Sequence, residues 1–220
     1  MTASSARFLL AAVQEALSMK SILGGSLLGV AVDHLLRRRA ETAREILLSE
    51  LRSGDRTLSE VEHDEIAAVL FRYIRAAQEG AARLNLRLMA KVIAGQASLG
   101  NLVADEFLYY ADILSSLRRE EVILLGTIYR ETRFQKENSQ VAEEEKVGAA
   151  LTATQAKLVP MPFPTAEDFL ATAGALLRTG LISASSGFGY LVYQATPLLE
   201  RFCALISIDD ALKKDAASQQ

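Results

Sequence analysis

Between Leu176 and Leu199 the chain reads Leu-Leu-Arg-Thr-Gly-Leu-Ile, then Ser183 to Phe188, then Gly-Tyr-Leu-Val-Tyr-Gln-Ala-Thr-Pro-Leu-Leu. No other stretch narrows the fold as far. Gly180 accepts the left-handed conformation that stops a helix. Gly187 and Gly189 permit a tight turn. Thr196 followed by Pro197 supplies an N-cap and a preset first helical residue. Helix, hairpin and second helix in this order describe a winged-helix unit.

The remainder argues for helices. Half of the 220 residues are apolar, enough for a sizeable core, and Ala and Leu dominate while tryptophan is absent. Such a mixture favours helix over sheet. The predicted class is therefore mostly α, with a helical N-terminal bundle and a winged-helix-like C-terminal unit carrying one short hairpin. A formal net charge of −3 gives no basic body to seek nucleic acid through bulk charge. The apolar stretch Ile22 to Val32 is 11 residues long, whereas a helix needs about 20 to cross a bilayer. The N-terminus lacks a secretory pattern, and the single Cys203 excludes an internal disulfide. The expected location is the cytoplasm, with association at a membrane surface as the variant reading.

Along the chain, Phe8, Leu9, Ala12, Val13, Ala16 and Leu17 share one helical face. Gly25 and Gly29, four apart, would form a flat strip for close contact with another helix. Arg37, Arg38 and Arg39 flank it. The pattern runs on through Ala43, Ile46, Leu47 and Leu51 to a break at Ser53-Gly54-Asp55. Thr57 and Glu60 have capping-box spacing. Behind them Ile66, Val69, Leu70, Tyr73, Ile74, Ala77, Leu84, Leu88 and Val92 predict one helix or a kinked pair over 58–94, with Gly80 as the kink and Gly95 as the stop. Shorter helices are expected over Asn101 to Leu114 and Leu117 to Thr132. The periodicity then fades, so residues 133–164, ending in Pro160, Pro162 and Pro164, read as a mobile linker with room for a transient helix at Glu143 to Lys146 and Ala149 to Lys157. Thr165 and Asp168 open a helix through Phe169, Ala173, Leu176 and Leu177, and Leu198, Leu199, Phe202, Leu205 and Ile206 make the last apolar stripe. The expected division is 1–98, then 101–208, with 209–220 as a polar frayed tail.

Catalytic and metal patterns are thin. There is no nucleophile elbow and no phosphate-binding glycine loop. Glu60 and His63 have the spacing of one half of a di-iron site but lack the second pair. Cys203 lies on an apolar helical stripe, as a small buried hydrophobe would. No catalytic residue, metal or cofactor is expected. The helix that would enter a DNA groove, Thr165 to Thr179, leads with Glu167 and Asp168, which phosphate repels. Arg72, Arg75, Arg83, Arg87 and Lys91 line one side of the 58–94 segment. They read as a solvated face partly neutralised by Asp105, Glu106 or Asp112.

Three blocks also resemble the bacterial Abi-alpha proteins, which are linked to phage defence. They are Ile22 to Arg39; Asp105-Glu106-Phe107 through Leu114 with Glu120-Glu121-Val122 to Tyr129; and Leu177 to Leu181 with Tyr193 to Leu198. The resemblance implies a helical, non-enzymatic protein acting in phage defence, and it fixes no active residue. The functional expectation is an interaction protein working through a homo-oligomer or a protein partner, with Gly25, Gly29, Arg37, Arg38 and Arg39 as its contact residues. DNA binding through the winged helix and peripheral membrane association are the alternatives.

Overall fold

The computed structural model describes residues 27–53, 63–100, 102–187 and 190–218. Gly25, the helical pattern of residues 6–18 and the Thr57–Glu60 box lie outside them. The described chain is mostly helical with one short hairpin, in the order α1 (Leu27–Ser53), α2 (His63–Glu79), α3 (Arg83–Ser98), α4 (Ala104–Ser115), α5 (Arg119–Asn138), α6 (Glu143–Leu158), α7 (Ala166–Leu176), β1 (Ile182–Gly187), β2 (Tyr190–Ala195), α8 (Pro197–Leu205) and α9 (Ile208–Ala217). It separates into two compact units, 1–116 with 214–220, and 117–213. The helix expected at 101–114 thus belongs with the N-terminal part.

Unit 1 is helix on helix. α1 packs on α2 and α3, and α4 covers the same pair. The long periodic segment is two helices, because Gly80 takes φ +99, a conformation that side chains with a Cβ avoid. The second helix passes Gly95 and runs to Ser98, so Gly95 is not the stop. Ala43, Ile46, Leu47, Val69, Leu70, Leu88 and Val92 are buried as their spacing predicts, and Phe107 of α4 is buried as well. Tyr73 is fully buried, and its hydroxyl donates to the Ala43 carbonyl at 2.9 Å, tying α2 to α1.

In unit 2, α5 is the central element: α6, α7, α8 and β2 all pack on it. Val122, Leu125 and Ile128 face inward. The stretch expected to be a mobile linker is instead the end of α5, all of α6 and a proline turn. α6 buries Ala150, Leu151, Thr154 and Leu158, and Phe163 meets Phe169 edge to face with centroids 5.8 Å apart. Small residues on one side gave α6 little amphipathic signal, while its packing against α5 supplies the stability that propensity alone lacks.

The hairpin region follows its local chemistry. The Thr165 hydroxyl caps α7 by accepting from the Asp168 amide at 3.1 Å. One 3-10 turn, Leu177–Thr179, ends at Gly180 with φ +68. β1 and β2 pair antiparallel from Ile182 opposite Ala195 to Gly187 opposite Tyr190. Thr196 caps α8 and also donates to the Gly180 or Leu181 carbonyl, which locks the hairpin's base. The expected frayed tail is helix α9, with Ile208, Ala211 and Asp215 buried. Ile208 lies so close to Gly126 that a Cβ there would meet its Cγ2 at 2.9 Å.

Candidate functional site

The opening of α1 carries most of the expected contact residues. Gly29 falls in its first turn, and from Ala31 onward the first buried residue is Ala40. Between them Val32 and Leu35 stand 39% and 46% exposed, although they continue the apolar spacing of a stripe that is buried from Ala40 onward. The three arginines divide. Arg37 is exposed and pairs with Asp33, one turn back, at 2.8 Å. Arg38 is exposed, and no ion pair joins it to a described residue. Arg39 turns inward and its guanidinium donates to the Gln78 carbonyl at 2.9 Å. A cation there suits the partial negative charge at the end of α2. Arg39 is therefore a structural cap within unit 1, and the outward patch is Arg37 and Arg38.

α7 holds a surface that sequence reasoning missed. Phe169, Thr172, Ala173 and Leu176 are buried, but Leu170 and Leu177 are 42% and 39% exposed. Ala171 and Ala175 are exposed beside them, and Glu167 and Asp168 are exposed in the first turn. Leu177, expected to continue the helix with Leu176, begins the 3-10 turn and lies outward. The signal available was the i, i+7 spacing of Leu170 and Leu177.

The basic stripe of the 58–94 segment comes apart. Arg72 pairs with Asp112 at 2.8 Å and Arg75 with Glu79 at 2.8 Å, as a solvated face would. Arg87 and Lys91 instead turn into unit 1 and meet Glu50, itself 3% exposed, at 2.9 and 3.0 Å. Lys214 joins them at 3.0 Å, and Arg87 also donates to the Ser218 hydroxyl. Burial alone would push the Glu50 carboxyl up, but the hydrogen bonds from Lys91, Lys214 and Arg87 outweigh it and hold it below its ordinary value. In unit 2, Glu121 is 1% exposed and accepts both arms of the Arg178 guanidinium, at 2.6 and 3.0 Å. The Arg118 amide adds a third bond at 2.8 Å. Burial raises this carboxyl too, and these donors lower it further than burial lifts it.

These buried charges are neutralised within the fold, which suits a structural role. Burial pushes the Cys203 thiol up to about 12, far from a nucleophilic thiolate. Along α5 a shallow cavity of about 460 Å³ exposes Phe134 and Tyr129. Its charged walls are already paired, Arg130 with Asp209, Lys157 with Glu131 and Arg133 with Glu137. Among the described residues, no group of three His, Cys, Asp or Glu side chains stands together as a metal site. No described helix is long and apolar enough to cross a membrane. Comparisons with protein families, curated proteins and solved structures find no match to this chain.

Proposed function

We propose that this chain is a non-enzymatic interaction protein that works by self-association, with the opening turns of α1 as a contact surface. The observation that carries the reading is the mismatch along α1 from Ala31 onward: apolar residues continue through Val32 and Leu35, yet burial begins only at Ala40. Exposed Val and Leu on consecutive turns of one helix, flanked by Arg37 and Arg38, are what a partner helix covers. The resemblance to the Abi-alpha proteins adds phage defence as the biological setting.

The test is the native mass of the full chain by light scattering, for wild type and for a Val32→Asp, Leu35→Asp double variant, with circular dichroism to verify that both are helical. The wild type is expected to exceed the 23.9 kDa of one chain, and the variant to return to it. A wild-type mass of one chain at every concentration overturns the reading, as does a variant of unchanged mass.

Membrane association has one observation in its favour, since cationic residues beside exposed apolar ones also suit anionic lipid. Sedimentation with anionic vesicles that the same double variant abolishes would favour it over self-association. The DNA-binding alternative draws less support, because α7 leads with Glu167 and Asp168 and its outward row is apolar.

A further inference from the structure

We infer that the seat for α1 on a second copy of this chain is the outward face of α7, so that two different faces meet in the assembly. The inference rests on the self-association proposed above and names the surface that receives it. Both surfaces are apolar rows ending in charge, and the charges are opposite. On α1 the row is Ala31, Val32 and Leu35, followed by the exposed Arg38. On α7 it is Leu170, Ala171 and Leu177, preceded by the exposed Glu167 and Asp168.

The spacings agree as well. Arg38 lies three residues after Leu35, and Glu167 three residues before Leu170, about 4.5 Å along each helix axis at 1.5 Å per residue. Laid antiparallel, the two helices bring Leu35 onto Leu170 and Arg38 onto Glu167 in a single register. Ala171 and Ala175 leave room beside that row for Val32 and Leu35, since small side chains let a second helix approach closely. The other two arginines are engaged within the chain, Arg37 with Asp33 and Arg39 with the Gln78 carbonyl, which leaves Arg38 for the contact.

A contact between two different faces either closes reciprocally in a pair or continues into a ring or chain, and in each case a copy with one face spoiled cannot join its own kind. That property supplies the test. The full-length Val32→Asp, Leu35→Asp variant keeps only its α7 face, and a Leu170→Asp, Leu177→Asp variant keeps only its α1 face. Each is expected to run at one chain in light scattering, and an equimolar mixture at about twice the 23.9 kDa chain mass. All four replaced side chains are exposed, and circular dichroism checks that the helices persist. A second arm needs no apolar change: Arg38→Glu and Glu167→Arg each lower the assembled mass, and the double swap restores it.

If the α7 variant keeps the wild-type mass while the α1 variant loses it, α1 is received by a surface other than α7. The inference then falls and the proposed function stands. A mixture that stays at one chain, or a charge swap without recovery, also overturns the inference. A wild type that is itself a single chain overturns both.

Discussion

Glu50 in unit 1 and Glu121 in unit 2 are both buried carboxylates held below their ordinary pKa, yet the chain recruits their partners over very different distances. Glu121 sits in the first turn of α5 and takes one hydrogen bond from Arg118, three residues back, so part of its neutralisation forms with the helix. Its cation, Arg178, is 43% exposed and keeps contact with water. Glu50 is met from much farther along the chain. Its cations come from α3 and from the end of α9, Arg87 being 37 and Lys214 164 residues away. A buried charge that depends on several distant cations can be satisfied only in the assembled unit, so it acts as a check on tertiary structure rather than as a local cap.

The comparison breaks first at Glu50. Glu50→Gln leaves Arg87, Lys91 and Lys214 clustered without their shared carboxylate, and a loss of about 3–5 kcal/mol is expected in urea unfolding. Glu121→Gln should cost less, about 1.5–3 kcal/mol by the same measurement, because Arg178 can turn to solvent while the amide oxygen still accepts from Arg118. A loss at Glu121 equal to or larger than that at Glu50 would remove the distinction between the two regions.

Acid sharpens it. Both carboxyls lie below the ordinary 4.5 when folded, so their stabilisation is complete above that value and disappears as pH falls through the lower folded pKa. Wild-type stability should therefore drop as the pH falls below the ordinary 4.5 more steeply than that of either Gln variant. The smallest effect is expected at the hairpin base, where Thr196→Val removes the α8 cap and the bond to the Gly180 or Leu181 carbonyl. A loss of about 1 kcal/mol is expected, read as a small decrease in melting temperature.

The local devices were legible in the sequence because their chemistry is contained in a few neighbouring residues. Gly80 and Gly180 mark breaks that only a left-handed residue makes, and Thr165 and Thr196 cap the helices that follow them. α6 was not legible, since Ala150, Leu151 and Thr154 make a narrow apolar side beside a run of glutamates, and its burial against α5 is a tertiary fact. α9 hid for the same reason: Ile208 and Ala211 are all the apolar burial it offers between charged residues. Of the expected contact residues, Arg37 and Arg38 are outward and Arg39 is not. No spacing rule separates them, because the difference is where α2 ends. The cluster on Glu50 was illegible in principle, as Arg87 and Lys91 belong by periodicity to a basic stripe and turn inward only when α1 is beside them.

Unit 1 is assembled from residues 1–116 and 214–220, with all of unit 2 encoded between. A ribosome therefore finishes the second unit before it delivers the last charge the first one needs. Until Lys214 emerges, Glu50 must wait with one cation missing. Any premature stop within the intervening segment damages both units at once.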